Sequence, residues 1–152
     1  VVESMRAQAA VHLAPGAGLP WRAFEDETRQ TVTDYVGVRR TERTLRLALQ
    51  TLYALARREP QLKADDLHGL MRVHEAKSIR MNAEIMATAS MVRQETRTGS
   101  SHWRLDYPKP DEQNWRRFVI VERGNDGPVT RTLPTDRPLA AAFARSQTAE
   151  YV

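Results

Sequence analysis

The long helical pattern between about residues 65 and 97 constrains the fold of this chain more than any other feature. Apolar and small side chains recur along it at alternating steps of four and three residues, which places them on one face of a helix. That stripe comprises Leu67, Met71, His74, Ser78, Met81, Ile85, Ala89 and Val92, and a second stripe comprises Val73, Ala76, Ile79, Ala83 and Met86. A helix that is apolar on two sides usually has neighbours on both. We therefore predict a helix about 50 Å long at 1.5 Å per residue, capped by Asp65 or Asp66. Its methionines (Met71, Met81, Met86 and Met91) are expected in the core rather than in a cofactor groove.

Two shorter helical patterns precede the long one. The first extends from Trp21 to Gly37, and the second extends from Thr41, a favourable N-cap, to Pro60, which a helix interior does not tolerate. Their apolar faces comprise Val32, Tyr35 and Val36 in the first and Leu45, Ala48, Leu49, Leu52, Leu55 and Ala56 in the second. Residues 1–11 are compatible with a further short helix, which the Pro and Gly residues that follow would end.

The hydrophobic period changes from helical to strand-like near the C-terminus. Residues 118–121 have the sequence Phe-Val-Ile-Val, which is apolar and mostly β-branched. The Asn-Asp-Gly sequence at 125–127 is a turn signal, and Val129 to Leu133 can return as a second strand. Because a single hairpin is only marginally stable, we expect it to lie on a partner surface. A short helix is also expected over Ala140 to Ala144.

These patterns predict an all-α fold: a spectrin-like three-helix up-down bundle with an extended C-terminal tail that contains a short β-hairpin. Residues 1–20 are expected to form a lead-in, residues 21–98 the bundle and residues 99–152 the tail. Hydrophobic residues make up 41% of the chain and charged residues 28%, a composition typical of globular proteins. No apolar run approaches the roughly 20 residues of a membrane span, and residues 1–10 lack the apolar region of a signal peptide.

The sequence contains no complete catalytic or metal-binding pattern. There is no Cys, which excludes thiolate chemistry and Cys-ligated metals. His74-Glu75 begins like a zinc-protease helix, but Ser78 stands where the second histidine is needed. Glycine-rich dinucleotide and phosphate motifs and the Gly-x-Ser-x-Gly elbow do not occur. We therefore expect no catalytic, cofactor-binding or metal-ligating residue in this chain.

The Glu95–Trp115 segment concentrates the side chains most suited to recognition. It combines three Arg or His residues, two Trp, one Tyr and two Pro directly after the long helix. Ordering such an extended segment is entropically costly unless a surface holds it. Three surfaces remain open: the chain's own helices, another domain or subunit, and a substrate. The candidate interdomain contacts are residues whose charges form bidentate pairs or whose rings supply apolar area: Arg97, His102, Arg104, Asp106, Tyr107 and Trp115.

Three motifs follow one another in and around this segment. They are Arg93-x-Glu95-Thr-Arg97, His102-x-Arg104-x-Asp106-Tyr-Pro108 and Asp111-x-x-Asn114-Trp115, with further similar residues at Pro20-Trp21, at Asp34 to Val38 with Arg40, and at Glu75 and Asn82. The set resembles the C-terminal helical domain of the succinate dehydrogenase/fumarate reductase flavoprotein family over about residues 20–120. The family's Glu-Ser-Arg-Gly is Glu-Thr-Arg-Thr here, and two extra residues precede the histidine. The motifs are also similar to those of the adenylylsulfate reductase α subunit and L-aspartate oxidase, so the substrate stays open.

The resemblance implies a structural and docking domain of an FAD-dependent oxidoreductase of the succinate/fumarate type, with no complete active site in this chain. FAD would lie in an N-terminal flavin-binding domain of the same polypeptide, and none would bind here. That domain is the expected partner, with an iron–sulfur subunit as a second candidate. Neither nucleic acid nor direct membrane insertion is expected. The implied location is the cytoplasm, either free or peripheral at the inner face of the membrane.

A second function class rests on charge. The chain has 23 basic and 19 acidic residues and a net charge of +4. Four arginines of the second helix are predicted to point outward: Arg43, Arg46, Arg57 and Arg58. The alternative is therefore a freestanding basic helical module that binds nucleic acid or a partner protein, and phosphate binding of this kind weakens steeply as salt rises.

Overall fold

Helices dominate the computed structural model, which describes residues 2–125 and 127–135. The α-helices are α1 (Val2–Leu13), α2 (Trp21–Thr31), α3 (Glu42–Arg58), α4 (Leu67–Val92) and α5 (Glu112–Trp115). A π-helical turn (Val32–Val36) continues α2, and 3₁₀ turns lie at Glu59–Gln61 and Thr98–Ser100. The strands are β1 (Leu19–Pro20), β2 (Arg39–Arg40), β3 (Leu62–Lys63), β4 (Trp103–Arg104), β5 (Arg117–Arg123) and β6 (Pro128–Pro134). The predicted mostly helical fold with a small C-terminal hairpin is confirmed.

The number of helices differs from the prediction. The described residues contain five α-helices, so the three-helix bundle is not confirmed. The three predicted helices correspond to α2, α3 and α4, which pack against one another, and α1 lies against α4. The four residues of α5 are too few to show a helical period, which is why the sequence pattern misses it.

The core between α2, α3 and α4 is apolar and closed. Its largest members expose 1% or less of their surface: Phe24, Val36, Leu45, Leu52, Leu55, Leu62 and Val73. Burial of side chains of this size contributes about 1.5–3 kcal/mol each. The apolar faces predicted for the first two helices therefore do face the core.

The helix starts lie where local capping chemistry predicts them. The Thr44 N–H donates to Thr41 Oγ1 at 3.2 Å, and the Thr41 N–H donates to Thr44 Oγ1 at 3.0 Å. This reciprocal pair is a capping box that begins α3. At the start of α4, the Asp66 carboxylate accepts a hydrogen bond from the Gly69 N–H at 2.6 Å, so Asp66 provides the cap of the long helix.

α4 turns its smaller side chains toward the core. The buried residues include Gly69, Val73, Ala76, Ala83, Ala87 and Ser90, whose small size lets α2 and α3 approach closely. The stripe with the larger apolar residues faces outward. The prediction of core methionines is therefore wrong for Met71, Met81 and Met86, which expose 48%, 50% and 43% of their surface, whereas Met91 packs against the core. A periodic pattern reports that a face is apolar, and it does not report what covers that face.

α4 ends at Val92, earlier than the predicted end near residue 97. The backbone of Arg93 is already extended, with φ −76° and ψ 104°. The last carbonyl groups of the helix accept hydrogen bonds from the side chain of Arg104. Because this cap comes from well beyond the helix, the local sequence pattern does not mark it.

Short ladders attach the connections to the helices. β1 pairs with β3 and β2 pairs with β4, each in parallel over two residues. β5 and β6 form an antiparallel hairpin in which Phe118 lies opposite Leu133, and this hairpin lies against α4. The predicted hairpin is thus present on a supporting surface. The short helix expected over Ala140 to Ala144 lies outside the described residues.

Candidate functional site

Arg104 is the centre of the Glu95–Trp115 segment. Its surface is 0% exposed. Its Nη1 donates to the carbonyl oxygens of Ser90 at 2.8 Å, Met91 at 3.1 Å and Arg93 at 3.0 Å. Carbonyl groups at a helix C-terminus have no partner within the helix, so the guanidinium satisfies the end of α4. Its Nε and Nη2 donate to the two carboxylate oxygens of Asp106, both at 2.8 Å, which is the bidentate geometry of a strong ion pair.

Asp106 connects this ion pair to a second helix. Its Oδ2 also accepts a hydrogen bond from the Glu42 N–H at 2.7 Å. Glu42 is the first residue of α3, where the helix dipole favours a negative charge. The hydrogen bonds from Arg104 and, to a smaller extent, the hydrogen bond from the Glu42 N–H lower the pKa of Asp106 to about 2. One carboxylate therefore joins the start of α3 to the end of α4.

Glu95 is the buried acid of the segment and organises its second half. Its Oε1 accepts a hydrogen bond from Arg93 Nη1 at 2.5 Å and another from Arg97 Nε, and its Oε2 accepts one from the Asp111 N–H at 2.9 Å. Burial alone would raise the pKa of Glu95, but these hydrogen bonds outweigh it and hold the pKa below its ordinary value. Arg97 also pairs with Glu112 at 2.9 Å. The network thus holds the residues before and after the turn at Thr98–Ser100.

Arg40 provides a link from β2 that the sequence did not suggest as a site residue. The parallel β2–β4 ladder places it opposite Arg104. Its Nη1 donates to Ser90 Oγ at 2.6 Å, and its Nη2 donates to the Ser101 carbonyl oxygen at 3.2 Å. Burial, and then the nearby charge of Arg104, lower the pKa of Arg40. Two guanidinium groups therefore converge on the last turn of α4.

His102 is buried among three arginines. Its Nε2 lies 3.2 Å from the Arg93 carbonyl oxygen, and because a carbonyl only accepts, Nε2 carries the hydrogen. Burial lowers the pKa of His102, and the neighbouring arginines Arg40, Arg93 and Arg104 lower it further. His102 lies opposite Arg97 in an isolated antiparallel β-bridge.

The aromatic residues of the segment keep part of their rings at the surface. Trp103, Tyr107 and Trp115 are all half-buried. Each lies beneath a guanidinium group, at distances from the ring centroid of 5.1 Å for Arg39 on Trp103, 5.0 Å for Arg104 on Tyr107 and 5.6 Å for Arg93 on Trp115. Such cation–π contacts fix the orientation of a ring without covering it fully.

The six residues predicted as interdomain contacts thus fall into two groups. Arg97, His102, Arg104 and Asp106 bind other groups of this chain, whereas Tyr107 and Trp115 are half-buried. An interdomain role stays a prediction for all six. Arg40, Ser90 and the backbone of Glu42 complete the cluster but were not among the candidates. Arg40 was noted only for its place in the family pattern, and Ser90 and Glu42 lie outside the motifs and are distant from them in sequence.

The described residues do not form a Rossmann-type dinucleotide site. Such a site has a glycine-rich turn between a strand and a helix, with space for the pyrophosphate at the helix N-terminus. Here β1 and β2 are two residues long, Pro20 directly precedes α2, and a Cβ at Gly18 would lie 2.1 Å from the Lys63 side chain. Within residues 2–125 and 127–135, no group of three or more His, Asp or Glu residues is arranged to hold a metal ion. No helix in that part of the chain is long and apolar enough to cross a bilayer.

The fold and this cluster define a helical domain in which buried charges hold a connecting segment against the ends of two helices. Residues 25–144 match the family model described as the fumarate reductase flavoprotein C-terminus. The chain belongs to this family, which confirms the resemblance inferred from the motifs. It is thus the C-terminal domain of a flavoprotein of the succinate dehydrogenase/fumarate reductase type.

Known proteins agree with this assignment. An uncharacterized FAD-dependent oxidoreductase of Methanocaldococcus jannaschii is 27% identical over 97 residues, which cover 64% of this chain and 17% of that protein. Adenylylsulfate reductase of Archaeoglobus fulgidus has the same fold, with a TM-score of 0.82 and 22% identity over 90% of this chain and 24% of that one. The Mycobacterium smegmatis Sdh1 complex has a TM-score of 0.78 and 26% identity over 90% of this chain and 24% of that one. This chain therefore spans about a sixth to a quarter of the length of the proteins it matches.

Proposed function

We propose that this chain braces and docks the flavin-binding domain of an FAD-dependent oxidoreductase of the succinate dehydrogenase/fumarate reductase type. The family match over residues 25–144 carries the proposal, together with the much greater length of the matched proteins. In this proposal FAD and the reacting substrate lie in the rest of the same polypeptide. The domain contributes structure and contact surface and does not catalyse a reaction on its own.

The Glu95–Trp115 segment supplies part of that contact surface. Arg97, His102, Arg104 and Asp106 serve as its internal supports because their polar groups already bind partners within the chain. Tyr107 and Trp115 present their free ring surface to the flavin-binding domain. An iron–sulfur subunit is the second candidate partner for the same rings. Large, rigid aromatic side chains are well suited to both kinds of contact, since they bury much area and lose little conformational freedom.

Flavin retention tests the proposal. The purified 152-residue chain is mixed with FAD and passed through a gel-filtration column, beside a longer polypeptide that includes the flavin-binding domain. We expect flavin absorbance to co-elute with the longer polypeptide and not with the isolated chain. Flavin retained by the isolated chain, or redox turnover by it, would contradict the proposal.

Addition of this domain in trans gives a second measurement. A polypeptide that ends before this domain should bind FAD weakly or release it on heating, and added 152-residue chain should restore retention. A matched control uses the chain with Trp115→Ala, which should restore less. Full flavin retention and full activity without the domain would show that it has no bracing role.

The nucleic-acid alternative is disfavoured by the charge pattern on α3. Arg46 pairs with Glu42 at 2.5 Å, and Arg58 pairs with Glu27 at 2.7 Å, so two of the four predicted phosphate contacts already have carboxylate partners. We expect no salt-sensitive binding to duplex DNA at low ionic strength. Binding whose affinity falls steeply as salt rises would favour the alternative.

The location of the protein belongs to the same proposal. We place the parent flavoprotein in the cytoplasm, where a peripheral position at the inner face of the membrane would bring it to a membrane-bound electron acceptor. Cell fractionation with and without a high-salt wash distinguishes the free from the peripheral form.

A further inference from the structure

The outward face of α4 carries a strip of mostly large apolar side chains. The strip consists of Leu67, Met71, His74, Ser78, Met81 and Ile85, with Met86 beside it. His74 and Ser78 are its polar members, and the His74 ring meets the His12 ring of α1 edge-on, with 6.3 Å between the ring centroids. Leu67 exposes 76% of its surface and Ile85 exposes 40%, and the methionines lie between these values. At 1.5 Å per residue the strip is about 28 Å long. Contiguous apolar surface on this scale usually marks a contact with another body.

No residue of the strip is an acid, a lysine or an arginine. The nearest charges lie at its edges. Glu75, which pairs with Arg72, lies at one edge, and Lys77 lies at the other. Depletion of charge at the centre of an apolar patch is typical of permanent interfaces. Phosphates and acidic peptides offer nothing that such a surface would recognise.

The rotation of α4 that exposes this strip is fixed by polar contacts on its other side. Arg80 Nε donates to Glu59 at 2.6 Å, and Arg80 also pairs with Glu84. All three side chains are largely shielded from solvent, and a separated buried charge is costly. The helix therefore cannot turn the strip inward without breaking the Arg80–Glu59 pair and carrying Arg80 and Glu84 out of their buried position.

We propose that the flavin-binding domain of the same polypeptide packs on this strip of α4. This inference rests on the proposed function. About three quarters of the length of Sdh1 and of adenylylsulfate reductase lies outside the matched region, and under the proposed function a body of similar size is covalently attached to this chain. Covalent attachment gives that body a high effective concentration at this chain. The body can therefore bind a surface without charged residues, because its association does not depend on electrostatic attraction. Other occupants would be residues 136–152, a second copy of the chain and a separate subunit.

Methionine oxidation tests the inference in the full-length, FAD-loaded protein. Peroxide oxidises an exposed methionine faster than a buried one. Because the flavin-binding domain would cover the strip, Met71, Met81 and Met86 should form sulfoxide at least about tenfold more slowly than in the same protein unfolded in urea. Mass spectrometry of proteolytic peptides measures each rate. Oxidation of all three at the unfolded rate, in protein that still holds FAD, overturns the inference but leaves the proposed function intact.

Three further experiments identify which body covers the strip. Deletion after Thr135 should leave the protection unchanged, and loss of protection would assign the strip to the C-terminal residues. Protection should not change on dilution, and a concentration dependence would assign it to a second copy. Protection should be present without added subunits, and protection that appears only on their addition would assign it to one of them. Each contrary result overturns the inference.

A matched pair of substitutions provides an independent test. Ile85 on α4 and Leu47 on α3 are each 40% exposed, so Ile85→Asp and Leu47→Asp place the same charge at positions of equal exposure. In the full-length protein, Ile85→Asp should accelerate flavin release on heating and raise the oxidation rates of Met81 and Met86 several-fold, whereas Leu47→Asp should change neither. Equal effects of the two variants overturn the inference. Failure of the unmodified full-length protein to hold FAD would instead contradict the proposed function.

Discussion

The helical core and the central charged residues of the Glu95–Trp115 segment are equally well buried, but opposite chemistry holds them. Leu45, Leu52 and Leu55 are buried among other apolar side chains, where contact is not directional. Arg104 and Glu95 are buried just as completely, yet their contacts are almost all directed hydrogen bonds. An apolar core tolerates changes that conserve volume, whereas an ionic cluster fails when one partner is removed. The structure of the segment therefore depends on a few individual hydrogen-bonding groups, whereas the structure of the bundle depends on the spacing of its apolar residues.

The largest effect is expected at Arg104. Arg104→Met keeps much of the side-chain volume but leaves Asp106 and the end of α4 without their partner, so the free energy of unfolding should fall by about 3–5 kcal/mol. Urea denaturation of the 152-residue chain measures it. Arg46→Met on the exposed face of α3 is the control and should change the value by no more than about 0.5 kcal/mol. A loss at Arg104 as small as that of the control would break the comparison.

Leu52→Ala measures the loss in the free energy of unfolding when one core side chain is truncated. Truncation of a fully buried leucine leaves a cavity and should cost about 2–5 kcal/mol. The cost should be the same at low and high salt, because no charge is involved, whereas the cost at Arg104 should vary with salt and pH. A Leu52→Ala cost that changes strongly with salt would show that the two regions are not independent.

Asp106→Asn tests the ionic cluster through the pH dependence of its contribution to stability. The pKa of Asp106 is lowered from 3.8 to about 2 in the folded chain, so the carboxylate stabilises the fold above its ordinary pKa. That contribution is lost as the pH falls through the folded pKa. The variant should lose about 1–3 kcal/mol at pH 7, and the gap between the urea midpoints of variant and wild type should narrow toward pH 2. A gap that is constant from pH 7 to pH 2 would contradict the ion-pair interpretation.

The smallest effect is expected at Trp115. Its ring is half-buried and contacts Arg93 through a cation–π interaction, so Trp115→Ala should cost the isolated chain only about 1 kcal/mol. In the full-length protein the same substitution should cost more if the ring also contacts another domain. Thermal melting of both forms measures the difference. Equal costs in the two forms would remove Trp115 from the proposed contact surface.

The sequence predicted those parts of the fold that depend on neighbouring residues. The caps at Thr41 and Asp66, the hairpin and the leucine face of α3 all follow from spacing within a few residues. The end of α4 could not be predicted, because Arg104 determines it from outside the helix. The motifs identified the family and brought Arg97, His102, Arg104 and Asp106 to attention, but not their contacts with other parts of the chain.

The exposed methionines show a second limit of prediction. The sequence reveals that α4 is apolar on two sides, and both sides satisfy the same periodic rule. Which side faces the core depends on side-chain size and on buried pairs such as Arg80 with Glu59, which join residues distant in sequence. These are three-dimensional properties, so a periodic pattern alone cannot choose between the two sides.

The cap on α4 has a consequence for synthesis of the protein. Translation proceeds from the N-terminus, so the whole of α4 is synthesised before Arg104 and Asp106 are added to the chain. Until those residues reach the end of the helix, its last carbonyl groups lack their guanidinium partner, and the buried site for Glu95 does not yet exist. A chain truncated before residue 104 would therefore carry a frayed helix end, and completion of this domain is a late event that depends on those few residues.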